Sequence, residues 1–247
     1  MTTISTKDPI ALAATTAIHT GDVDTLRQLL GANPGLARMR LGDDTPEGMS
    51  RTLLHVVTDW PGHFPSGAAT VAVLVDAGAD VNARFRGPHE ETPLHWAASS
   101  DDVAVLDALL DAGADINAPG AVIAGGPPLS DATAFRCWTV AYRLVERGAE
   151  TTLFAAAALE LMDRLETYFT DQHKPTAQEI NHAFWAACHG GRSAAAQYLL
   201  AHGAELDWIS PWEPLTPLDT AATSGNTELV TWLHAHGAKT ASQLRGD

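Results

Sequence analysis

Histidine is the side chain in this sequence best suited to chemistry near neutral pH, and eleven of them occur in 247 residues. His63 stands in an aromatic run, Asp59-Trp60-Pro61-Gly62-His63-Phe64-Pro65. His182, Trp185 and His189 are spaced by three and four, so on a helix they share one face. An imidazole titrates near neutrality. His63 or His189 could therefore act as acid or base, with Asp59 orienting one of them. Ser99 and Ser100 would add hydroxyls. Trp60, Trp96 and Trp185 would add aromatic walls, and together these are the ingredients of a ligand pocket. Isomerisation, cyclisation or hydration is the chemistry such a pocket would suit.

More specific signatures are lacking. The sequence has no HExxH, no CxxC pair, no phosphate-binding GxxxxGK[ST], no GxGxxG after a strand and no GxSxG elbow. No metal and no cofactor is expected. Cys188 falls in a small-residue slot of a helical pattern, which suits packing better than nucleophilic attack. Thirty acids against fifteen Lys and Arg give a net charge of −15. That balance argues against a nucleic-acid backbone or an anionic membrane as partner. The first 22 residues hold one Lys, an early Asp8-Pro9 and no long apolar run, so they read as neither a secretory signal nor a membrane span. With two cysteines, both in helical patterns, a reducing cytoplasmic compartment is expected.

The elements that must position these residues repeat. Residues 91–118 read as a short helix, a turn, a second helix and a glycine stop. Pro93 suits a first helical turn, because its missing N–H has no intrahelical role there. Val103, Leu106, Leu109 and Leu110 make the apolar stripe of the second helix, and Gly113 ends it from a left-handed cap. A hairpin this short cannot bury its own apolar face and needs copies on either side. The copies are present. DAGADVNA at 76–83 recurs as DAGADINA at 111–118, and Gly78, Gly113, Gly148, Gly203 and Gly237 close successive units. TLLH at 52–55, TPLH at 92–95 and TPLD at 216–219 open helices in register with them.

These motifs resemble the ankyrin repeat over nearly the whole chain. The expected fold is an all-α ankyrin-repeat solenoid of about seven helical-hairpin units, degenerate caps included, forming a single array over 1–247. An N-terminal capping unit spans 8–40. Central repeats span 51–207, with a degenerate unit near 152–171 in which Glu160 stands where a turn glycine would. A C-terminal capping unit and a polar tail, expected to fray, occupy 216–247. Residues 41–50 read as a polar, turn-rich loop. Five residues are inserted between the two helices of the unit at 51–84, within 59–66, and they form either a self-packed loop or a lid over the concave face.

The resemblance implies that His55 and His95, in the TPLH slot, are structural hydrogen-bonders between repeats. It also implies binding through the concave face and the fingers. In register, Asp59, Ser99, Ser100, Phe135, Glu160 and His189 line the far side of that face, and Trp96 and Trp185 sit on it. Arg84, Arg86, His89 and Glu90 form one finger, and Trp212 lies on another. The favoured reading is a non-enzymatic scaffold recognising a protein partner through Trp60, His63, Arg84, Arg86, His89, Trp96, Ser99, Ser100, Phe135, Trp185, His189 and Trp212. The alternative is a small-molecule ligand, or an acid–base enzyme using His63, Asp59 and His189.

Overall fold

The computed structural model describes residues 2–42, 45, 48–170 and 174–246. Part of the loop expected at 41–50, the end of the degenerate unit at 171 and the last residue of the tail lie outside the described residues. The chain divides into two compact units, Met1–Ala149 and Glu150–Asp247.

The first unit is built from paired helices: α1 (Pro9–Thr20) with α2 (Val23–Ala32), α3 (Leu53–Val57) with α4 (Gly67–Asp76), α5 (Pro93–Ser99) with α6 (Val103–Asp111), and α7 (Pro128–Ala134) with α8 (Trp138–Glu146). Short polar side chains start them. Asp8, Asp22 and Asp102 accept from the backbone N–H groups of Ile10, Thr25 and Val105 respectively, groups that have no partner inside a helix. Gly78, Gly113 and Gly148 follow the second helices at φ 89°, 91° and 96°, a region closed to most side chains. The core is a seam of Leu53, Leu54, Leu74, Leu94, Leu106, Leu109, Leu129 and Leu144, all buried. Alanines on the first helices, such as Ala97, Ala98 and Ala132, are also buried and let neighbouring hairpins approach closely.

The polar loop expected at 41–50 is instead flanked by strands. β1 (Thr3–Ile4) runs parallel to β2 (Arg40–Gly42), which pairs antiparallel with β3 (Ser50–Thr52). Alternation explains this: Leu41 is buried while Arg40 and Gly42 stay half-exposed. Three residues are too few for that period to stand out among charged neighbours.

The second unit pairs α9 (Leu153–Ala158) with α10 (Met162–Thr170), α11 (Ala177–Gly190) with α12 (Ser193–Ala201), and α13 (Pro217–Ala222) with α14 (Thr227–Ala235). Its core surrounds Phe184, Leu165, Leu199, Leu229 and Leu233. Glu160 adopts the left-handed conformation, φ 57°, and its carboxylate accepts from Ala194 N–H at 2.7 Å, capping the next helix pair. Glutamate thus offsets the backbone cost that glycine would avoid. Residues from Ala241 to Arg245 form α15, started by a Thr240–Gln243 capping box, and Ala241 N–H donates to Asp219 at 2.8 Å. No helix among the described residues is long and apolar enough to cross a membrane.

Candidate functional site

Each first helix begins at a finger and ends at an inter-helix turn, so fingers and turns lie at opposite ends of the helices. The candidate residues separate along that axis.

At the finger end of the first unit, His55 and His95 are fully buried. Thr92 N–H donates to His95 Nδ1 at 3.1 Å, which fixes the tautomer: Nε2 carries the proton and donates to Gly126 O at 3.3 Å. His55 repeats the arrangement with Thr52 and with Glu91 O at 3.1 Å. Desolvation pushes His55 down to about 3 and His95 to about 4, so both are neutral hydrogen-bond links between consecutive repeats. His95→Ala should lower stability by about 1–3 kcal/mol, because it strands a buried N–H and a buried carbonyl. Urea denaturation would show it, and a variant as stable as the wild type would remove this linking role.

Trp96 packs against His55 with ring centroids 4.9 Å apart and against Phe85 at 5.4 Å, and its indole N–H donates to the Glu91 carboxylate. One repeat on, Asp131 is wholly buried. Its Oδ1 accepts only a long 3.4 Å bond from Ile123 N–H, and its Oδ2 has no hydrogen-bond partner among the described residues. Burial, then the nearby Glu91 carboxylate, raises Asp131 to about 7, and burial also raises Glu91. Two acids therefore share a dry interior at the base of the finger that carries Ile123. Nothing in the sequence near Asp131 marks it, since a single acid on a short helix reads as a solvated one.

The fingers of this unit are braced against each other. Arg84 donates to Pro119 O at 2.5 Å and to Glu90 O at 3.1 Å, while Arg86 exchanges backbone hydrogen bonds with Ser50. Arg86, His89 and Glu90 remain exposed. Met49, Val122 and Ile123 are exposed apolar side chains on the connecting segments.

The insertion at 59–66 lies along the turns, not among the fingers. His63 N–H donates to Asp102 at 2.9 Å, and its Nε2 bonds Ser100 O at the same distance. Phe64 stacks on His19 at 4.3 Å, within the first helix pair. The loop therefore straps the turns of three successive hairpins together. Asp59 pairs with Arg51 and accepts from Trp60 N–H, so it is not the partner of His63. Ser99 and Ser100 donate to Trp96 O. Phe135 and Trp60 project from this edge, 51% and 85% exposed. A cavity of about 350 Å³ beside the strap is lined by His63, Phe64, Asp102 and Val105 and includes none of the tryptophans.

In the second unit an aromatic cluster assembles on α11 and the finger before α13. Trp185 stacks on His189 at 5.1 Å and meets Trp212 edge-on at 5.4 Å. His182 lies between Trp208 at 5.1 Å and Trp212 at 4.9 Å, and Phe154 meets Trp212 at 6.3 Å. The indole N–H of Trp185 donates to Leu215 O at 3.2 Å, and His189 bonds Thr220. Burial lowers His182. Trp185 and His189 are buried, whereas Trp212 is 50% exposed and Ile209 beside it 41%. Trp208 completes the cluster, and its spacing of four from Trp212, with Pro211 between, is the signal that puts both on one finger. His63 belongs to the first unit and His189 to the second, and each is held by its own neighbours.

Cys137 and Cys188 are free and buried, and burial raises both thiols, Cys137 to about 11. Among the described residues no group of three or more His, Cys, Asp or Glu is placed to hold a metal ion.

Helix pairs closed by left-handed glycines, linked by TPLH-type histidines and joined by projecting fingers, define a helical-repeat protein. Residues 11–119 match the family model for ankyrin repeats in three copies. Over residues 11–119 the chain carries ankyrin repeats, and its described helix pairs fit an all-α repeat fold. No curated protein matches it. Ankyrin repeats are in general protein–protein interaction modules, and the chain carries that kind of framework.

Proposed function

We propose that this protein is a non-enzymatic binding scaffold that recognises a protein partner through its fingers and the inner helices beside them. The observation that carries this reading is where large apolar side chains meet solvent. Met49, Val122, Ile123, Ile209 and Trp212 are exposed and lie on finger segments, while Trp60 and Phe135 are exposed on the turn edge. Beneath Met49, Val122 and Ile123 the frame is linked by the buried His55 and His95. Exposed apolar side chains held this way form the centres of interfaces. A cytoplasmic compartment is part of the proposal, supported by two free buried thiols.

The acid–base alternative has no comparable support. His63 is engaged by Ser100 and Asp102, Asp59 by Arg51 and Trp60, and His189 by Trp185 and Thr220.

Truncating Trp96 and Trp212 to Ala should weaken partner binding by about 2 kcal/mol or more. Calorimetric titration against the captured partner would measure it, with far-UV circular dichroism confirming that each variant folds. Unchanged affinity in both variants would sink the finger-and-inner-helix surface.

A further inference from the structure

We propose that the Trp212 finger docks a cationic linear segment of the partner, with a Lys or Arg side chain laid on the exposed indole. This rests on the scaffold reading and specifies the partner's chemistry. Charge decides the class. From Lys174 to Lys239 the chain has six acids, Glu179, Glu205, Asp207, Glu213, Asp219 and Glu228, against three cations, Lys174, Arg192 and Lys239. Arg192 is turned onto the end of α9, where its Nε donates to Ala158 O at 3.0 Å. Glu213 is exposed and adjoins Trp212, while Glu179 lies near enough to His182 to act on it electrostatically. Burial between two indoles lowers His182, which disfavours its charged form.

Geometry supplies the platform. Trp212 is supported by four rings, His182, Trp185, Trp208 and Phe154, and keeps half of its surface in water. Its finger is closed by Ser210, whose hydroxyl donates to Glu213 O and accepts from Glu213 N–H. A braced indole followed directly in the chain by an exposed acid suits a cation drawn to the ring and to the acid. Exposed Ile209 offers an apolar neighbour for the flanking residues of such a segment.

The test pans a displayed random dodecapeptide library on the full-length protein and measures enriched peptides against wild type, Trp212→Ala and Glu213→Lys, with Trp96→Ala as a control. The expected result is enrichment of Lys or Arg beside an apolar residue. Both variants should then lose affinity about tenfold or more, and wild-type binding should weaken as salt rises. Enriched peptides without Lys or Arg that still depend on Trp212 would overturn the cationic assignment and leave the scaffold reading standing. Cationic peptides indifferent to both variants but lost in Trp96→Ala would overturn this site alone. No enriched peptide at all would overturn the site and the scaffold reading together.

Discussion

Replacing Asp131 with Asn should stabilise the protein at pH 8 by about 2–4 kcal/mol and flatten its stability profile between pH ~4 and ~7. Asp131 has no solvent exposure, one oxygen without a hydrogen-bond partner and a second carboxyl close by. Its pKa is raised by burial to about 7 from an ordinary 3.8. The folded state therefore prefers the neutral acid. That preference is fully available below pH ~4, where the unfolded chain is protonated as well, and it is lost as pH rises to about 7. One pKa unit corresponds to about 1.4 kcal/mol, so the ionised side chain costs about 4 kcal/mol above pH 7 at full effect. Asn keeps the shape, removes the charge and brings an N–H₂ donor near Glu91. Urea denaturation of both proteins between pH 5 and pH 9 would measure the difference, which should shrink toward pH 5. Parallel profiles would show that Asp131 is solvated or paired. His55 and His95 act in the opposite sense. Their depressed values stabilise the fold above pH ~6.5, and that contribution is lost as pH falls toward 4.

Leu106→Ala should cost about 2–5 kcal/mol, as a large-to-small change in a closed core does. Leu106 has no exposure, and α6 packs on α4, α5 and α8, so no neighbouring helix is free to collapse into the void. In a repeat stack each hairpin is stabilised by its neighbours, so a central void weakens two interfaces at once. Leu244→Ala is the matching end change. That side chain is 38% exposed, and α15 keeps its Ala241–Asp219 anchor without it. Denaturation midpoints of the two variants should therefore differ widely. Equal losses would contradict the nearest-neighbour account.

Much of the frame is legible without coordinates, because it depends on local signals. Thr-Pro-Leu-His opens α5 because Thr92 caps, Pro93 tolerates the first turn and His95 answers the Thr92 N–H. Gly113 closes α6 because a left-handed residue is required there. The same local logic opens α11 and α15, whose capping boxes pair Thr176 with Glu179 and Thr240 with Gln243. Other features depend on what lies across a gap. Asp131 is unusual only because the neighbouring finger and Glu91 close over it. The insertion at 59–66 could have turned either way from its sequence. Its direction is fixed by two acceptors, Ser100 O and Asp102, that are nearly forty residues further along the chain. The histidine surplus has a similar explanation. His202 and His236 bond the carbonyls of Tyr198 and Trp232 four residues back and lie against those rings, finishing helices α12 and α14. An excess that suggested catalysis is largely used in caps, stacks and repeat links.

Affinity capture from a source lysate tests the central claim most directly. Wild type would be compared with a folded Trp96→Ala, Trp212→Ala double variant, and protein and small-molecule fractions would both be identified by mass spectrometry. The scaffold account predicts a protein retained by wild type and lost from the variant. A small molecule lost in its place, with the protein fractions unchanged, would contradict it and return attention to a ligand pocket.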